Sequence, residues 1–257
     1  MELFFLFILG LAIGSFLNVL IDRLPQGRSI FGRSQCDFCK KELESKDLIP
    51  VISYLILKGR CRYCRKKLSI QYPLVEFLTG LLFVLSWLYL PISDYAIKIV
   101  YLGIISSLLV IFIADWKYHI IPDQIQIIVL VLSTIIIYLT GLFTPFSFII
   151  RLRDGLIVML PILGLYLVTK GKGMGFGDVK LAFVIGFFLQ IIAGLFAIYF
   201  AFVSGAIFGG FLIFLKRKKF KDSIAFGPFL ALGFALMIFF GKPILEFFQK
   251  FYFDFTL

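Results

Sequence analysis

The chain predicts an all-α polytopic membrane protein, with about eight transmembrane helices and a small cytoplasmic zinc-ribbon-like loop domain. Three observations carry this. Of 257 residues, 61% are hydrophobic, against about 45–50% in an ordinary soluble domain, and mean hydropathy is +1.01. The apolar residues form runs near the roughly 20 residues a helix needs to cross a bilayer. Lysine and arginine outnumber aspartate and glutamate by 26 to 15, and they collect between those runs. Intrinsic disorder is excluded because it requires low hydrophobicity. A soluble nucleic-acid binder fits poorly with so apolar a chain, and no nucleic-acid partner is expected. His119 is the single histidine, so no H-E-x-x-H zinc site exists, and no G-x-S-x-G serine motif occurs.

The predicted spans are 3–21, 73–90, 96–114, 124–140, 154–169, 179–190, 192–215 and 226–248. Residues 1–21 form the first helix, read as retained because no basic segment precedes it and no small-x-small site follows it. Asn18 and Ser15, beside Gly14, are expected to hydrogen-bond between helices. Residues 22–72 form the cytoplasmic loop domain, and 73–257 the helical bundle. The span 179–190 is short, so a tight turn near Gln190 is expected to join it to the next. With eight spans, 21 of the 26 basic residues fall in the loops 22–72, 115–123, 170–180 and 216–222. Positive charge marks the cytoplasmic side and places both termini outside. The run Lys216-Arg217-Lys218-Lys219 reads as a topology signal that also meets anionic lipid.

The loop holds all four cysteines, Cys36-x2-Cys39 and, 21 residues on, Cys61-x2-Cys64. Two such pairs can complete a thiolate tetrahedron around zinc. A reducing cytoplasm favours metal over disulfides. The bases Lys40, Lys41, Arg60 and Arg62 favour thiolates. Four thiolates leave no open coordination position, so the Zn2+ is structural. It substitutes for the core that about fifty polar residues cannot build.

Carboxylates at the membrane edge are costly and each needs a reason. Glu42, Glu44, Asp47 and Asp222 read as solvated loop acids, and Asp94 and Asp154 as solvated acids near outer helix ends. Asp115 closes the third apolar run and Asp178 opens the sixth, so the topology puts both at one depth on the cytoplasmic face. There they could share a water. Capping is the competing reading for Asp178, and a polar boundary beside Lys117 the competing one for Asp115. Gly175 and Gly177 allow backbone angles closed to other residues and close approach of another chain. Asp123 after Pro122 reads as a helix start or an active-site group. Glu76 reads as a snorkelling or base-paired acid, or as a substrate contact. His119 reads as a solvated or capping residue.

Taken together, the strings resemble the prepilin peptidases, or type IV leader peptidases, nearly end to end. They are Gly14-Ser-Phe-Leu-Asn18 with Arg23-Leu-Pro25, the two cysteine pairs, Ile49-Pro50 with Ser53-Tyr54-Leu55, Tyr72-Pro73-Leu-Val-Glu76, Asp115 with Ile121-Pro122-Asp123, Gly175-Phe-Gly177-Asp178-Val-Lys180-Leu181, and Phe226-Gly227-Pro228-Phe229. The resemblance implies an aspartic intramembrane endopeptidase in the cytoplasmic (inner) membrane of a prokaryote. Such an enzyme cuts the basic leader of type IV prepilins or pseudopilins after a glycine, at the cytoplasmic membrane face. The resemblance makes Asp115 and Asp178 the catalytic pair, with Gly175, Gly177, Lys180, Asp123 and Glu76 in support. Family members with a four-cysteine loop often also methylate the new N-terminus with S-adenosylmethionine. No glycine-rich nucleotide fingerprint occurs here, so that activity is implied by resemblance alone and its residues are unassigned. The rival readings are a peptidase without methyltransferase activity, an ion-coupled transporter and a non-enzymatic assembly factor. Oligomeric state is not legible.

Overall fold

Residues 1–90, 92–216 and 224–254 are described by the computed structural model. Among them the regular structure is helical: α1 (Glu2–Arg23), α2 (Ile52–Ile56), α3 (Gln71–Tyr89), α4 (Tyr95–Tyr118), α5 (Asp123–Leu139), α6 (Pro145–Thr169), α7 (Phe176–Phe214) and α8 (Gly227–Asp254). Five segments are long and apolar enough to cross a membrane: Glu2–Gln26, Gln71–Tyr89, Tyr95–Tyr118, Phe176–Phe214 and Gly227–Lys250. The helix α5 is apolar but shorter, and α6 carries Arg151, Arg153 and Asp154 within it. The chain divides into two compact units, Met1–Ser93 and Asp94–Leu257.

In the first unit α1 packs on α3 through small residues. A Cβ on Gly10 would lie 2.6 Å from the Cα of Gly80, and one on Gly14 2.6 Å from the Cα of Glu76. Backbones that close gain dispersion contact without needing a hydrophobic drive between helices. Asn18 adds the expected interhelical bond, its Nδ2 donating to Tyr72 O at 3.1 Å. The loop between them contains two short bridged hairpins, Gln35 with Glu42 and Arg60 with Lys67. Asp47 is not the solvated acid the sequence suggests. Its side chain is 3% exposed and pairs with Arg62 at 2.5 Å, while Tyr63 donates to it.

In the second unit α4 is well enclosed, with Ile104, Val110, Ile111 and Ala114 fully buried. Helix α6 begins nine residues before the predicted 154, because Pro145 follows a capping Thr144 whose Oγ1 accepts from Ser147 N at 3.0 Å. Arg151 and Arg153 hide this extension from a hydropathy reading. Asp154 is also not solvated: it is 3% exposed and bound by Arg153 at 2.8 Å. Helix α7 contains the turn expected near Gln190, where the backbone leaves the helix at φ 66°, ψ −177°. Such a break strands carbonyls that lipid cannot satisfy. Arg151 from α6 donates to two of them, Phe187 O at 3.3 Å and Phe188 O at 2.7 Å. Of the predicted basic run, only Lys216 lies within the described residues.

Candidate active site and metal centre

Asp115 lies in the last turn of α4 and is 6% exposed. Its Oδ2 accepts from the backbone N–H of Gly227 at 2.9 Å. Gly227 is the first residue of α8, so the carboxylate caps the positive end of that helix. Asp178 lies in the first turn of α7 and is also 6% exposed. Its Oδ2 accepts from Gly175 N at 2.9 Å. Part of the capping reading therefore holds, but only one oxygen is used, and Oδ1 is buried without a hydrogen-bond partner. The two carboxylates are close enough to act on each other electrostatically.

One apolar side chain links the two helix starts. Ile121, in the α4–α5 connection, meets both Gly177 and Gly227: a Cβ added there would stand 3.2 Å from its Cβ and 2.8 Å from its Cδ1, respectively. The glycines matter through this closeness, not through unusual backbone angles. Gly175 is in ordinary extended conformation (φ −77°, ψ 154°) and Gly177 lies inside α7, so neither uses the special backbone angles that the sequence reading allowed for, while Gly177 does have a close neighbour. Just ahead of Gly227, Ile224, Ala225 and Phe226 join Phe202 and Phe229 around an apolar cavity of about 240 Å³.

The remaining expected site residues each have their own partners. Asp123 opens α5 but makes no side-chain cap. It accepts from Lys180 at 2.8 and 2.9 Å through both oxygens, tying the start of α5 to α7. His119 is exposed and ends α4 in the left-handed conformation at φ 54°. Glu76 belongs to the other unit and neither snorkels nor pairs with a base. It is 8% exposed and accepts from Val51 N at 2.7 Å, where the chain turns at φ 60°. Ile121 and Gly227 stand in two of the quoted strings, Ile121-Pro122-Asp123 and Phe226-Gly227-Pro228-Phe229, but with no role assigned; Gly227 before Pro228 at the start of an apolar run is also a helix-start signal. Gln126 carried no signal.

The four cysteines form a cluster that could hold a metal ion. Their sulfurs all lie within 4.8 Å of one another, and Cys36 and Cys64 are 3.8 Å apart. Tetrahedral bonds of about 2.3 Å place sulfurs about 3.8 Å apart, so the donor set fits zinc. The two halves are built alike. Lys40 N donates to Cys36 O and Cys36 N to Lys41 O, just as Arg65 N donates to Cys61 O and Cys61 N to Lys66 O. Lys40 and Arg65 take left-handed angles of 56° and 58° to close these turns. Burial pushes the Cys36 thiol up to about 11. Burial also opposes ionisation of Cys61, but the amides of Cys64 and Tyr63 and the neighbouring sulfurs outweigh it and bring that thiol to about 7.

Comparison with known proteins adds an independent line. A family model described as Bacterial Peptidase A24 N-terminal domain matches residues 8–90, and one described as Type IV leader peptidase family matches residues 102–210. The relatives that carry the name prepilin leader peptidase/N-methyltransferase include the following three. One from Bacillus subtilis (strain 168) is 31% identical over 246 residues, covering 95% of this chain and 97% of the relative. One from Burkholderia pseudomallei (strain 1026b) is 31% identical, covering 95% and 87%. One from Pseudomonas putida is 30% identical, covering 92% and 90%. No solved structure matches.

Proposed function

Because the chain belongs to the type IV leader peptidase family, we propose that it removes the basic leader from type IV prepilins or pseudopilins by a two-aspartate mechanism. The observation that carries this reading is the pairing of Asp115 and Asp178. Each is buried, each rests one oxygen on an amide at a helix start, and the charge of Asp115 bears on Asp178. Carboxylates that close ionise together only at high cost, so the pair shares a proton. The ionised member takes a proton from water, which attacks the scissile carbonyl. The protonated member donates to the carbonyl oxygen and then to the leaving amine. The roles belong to the pair, which titrates as a unit.

Asp123 and Lys180 support the pair by fixing α5 against α7, and Gly175 and Gly177 by their amide and their closeness. Glu76 supports the fold of the first unit. Cys36, Cys39, Cys61 and Cys64 bind a structural Zn2+ that orders the 22–72 loop. The charge asymmetry supports cytoplasmic exposure of that loop and of the helix ends that carry the aspartates. A second activity, N-methylation of the new N-terminus with S-adenosylmethionine, is supported by the relatives' names, and no residue is assigned to it.

The test uses purified full-length protein and a peptide with a basic leader, a glycine and an apolar stem, with and without S-adenosylmethionine. Mass spectrometry reads loss of the leader and gain of a methyl separately. Leader loss that disappears in Asp115→Asn and in Asp178→Asn, both folded, is the expected result. Leader loss that persists in either contradicts the mechanism.

A further inference from the structure

Among the described residues, three buried side-chain atoms lack a hydrogen-bond partner: Asp178 Oδ1 and both the Nε2 and Oε1 of Gln126. Gln126 is 4% exposed. The rest of the buried face of α5 is Ile125, Val129, Ser133, Ile136 and Ile137, and Ser133 satisfies itself by donating to Val129 O. An amide buried in an apolar setting without partners costs free energy that an apolar side chain of the same length avoids. Polar groups kept at such a cost within a membrane bundle point to a ligand.

The placement of Gln126 indicates which one. It lies three residues beyond Asp123, an advance of about 4.5 Å along the helix. Asp123 is bonded to Lys180, which is two residues from Asp178. Five residues before Gln126 is Ile121, which packs against Gly177 and Gly227 beside the two carboxylates. All three unpartnered atoms therefore belong to residues within one helical turn of the Asp123–Lys180 pair that joins α5 to the start of α7.

We propose that the Gln126 carboxamide is a substrate-binding group of the aspartate site, holding the peptide backbone next to the scissile bond. A carboxamide offers one acceptor and a pair of donor hydrogens, matching the N–H and C=O that an extended peptide presents. In a site shielded from water such bonds have no competing partner, so they hold the strand in register with the carboxylates. The proposal rests on the aspartate pair being the peptidase site.

The experiment compares wild type with Gln126→Met and Gln126→Leu in purified full-length protein. Substrates are the prepilin-like peptide and analogues N-methylated, one at a time, at the peptide nitrogens flanking the cut. Both variants should lose about tenfold or more in kcat/KM while their thermal midpoints hold or rise, because an unsatisfied amide has been removed. In wild type one N-methylation should lower kcat/KM, and in Gln126→Met that analogue should be cut as fast as its parent. Wild-type kcat/KM in both variants would overturn the proposal. So would midpoints that fall with activity in both, or undiminished sensitivity of Gln126→Met to every N-methylation. Cleavage surviving Asp115→Asn or Asp178→Asn would instead overturn the underlying aspartate reading.

Discussion

Replacing Gly227 with alanine should cripple catalysis while leaving the fold in place. The new Cβ would stand 2.7 Å from Asp115 Oδ2 and 2.8 Å from Ile121 Cδ1. Carbon contacts are comfortable at about 3.5–4.0 Å, so these neighbours must move by roughly 0.7 Å or more. The methyl is fixed to backbone, hence the carboxylate and Ile121 yield. A misplacement of about 1 Å at a reacting group costs about 100-fold, so kcat should fall about 10–100-fold with KM little changed. Gly227 does not adopt left-handed angles, so alanine fits its backbone, and stability should fall only by the overpacking of its neighbours, about 1–3 kcal/mol. The glycines of the Asp178 segment supply the comparison. Alanine at 177 would meet Ile121 Cβ at 3.2 Å, and at 175 would meet Asp178 Oδ2 at 3.5 Å. The expected order of damage is Gly227→Ala, then Gly177→Ala, then Gly175→Ala, read from leader cleavage under saturating peptide. Full kcat in Gly227→Ala, or greater damage from Gly175→Ala, would refute the reasoning.

Arg151→Met should destabilise the protein by about 1–3 kcal/mol, because it strips the donors from the carbonyls of Phe187 and Phe188 at the α7 break; an unchanged thermal midpoint would contradict this. Burial works against the Asp47 carboxylate, but bonds from Arg62 and the Glu44 amide hold it below its ordinary value. That stabilisation is present above the unfolded value of about 3.9 and is lost as pH falls through the folded value. Limited proteolysis of the loop should therefore accelerate below about pH 4 in wild type, and Asp47→Asn should flatten the acid dependence. Chelation or Cys36→Ser should release the metal and make the 22–72 loop protease-sensitive; a loop still protected, or metal still bound in Cys36→Ser, would count against a structural zinc.

Much of the candidate site is legible because acids are scarce in an apolar chain. Asp115 and Asp178 stand out at the ends of hydrophobic runs, and the break at Gln190 shows as a polar residue that ends a run too short for a span. The partners of those aspartates were not visible. Gly227 lies 112 residues beyond Asp115, and no local pattern links a carboxylate to an amide so distant. Glycines near Asp178 suggested conformational freedom, yet Gly177 is used for packing against Ile121. Charge also misled where burial decides. Asp47 reads as solvated because it sits in a polar loop, and Asp154 because it lies near an outer helix end, but Arg62 and Arg153 pair with them out of water. Gln126 carried no signal, since an amide in a helix looks like any polar position until its surroundings are known.

The most direct test of the central claim is single-turnover leader cleavage by Asp115→Asn and Asp178→Asn beside wild type, with thermal midpoints measured on the same samples. Neither variant should release leader, and both midpoints should stand at or above that of wild type, since a neutral amide avoids the cost of burying a charged carboxylate. Release at the wild-type rate from either variant would contradict it.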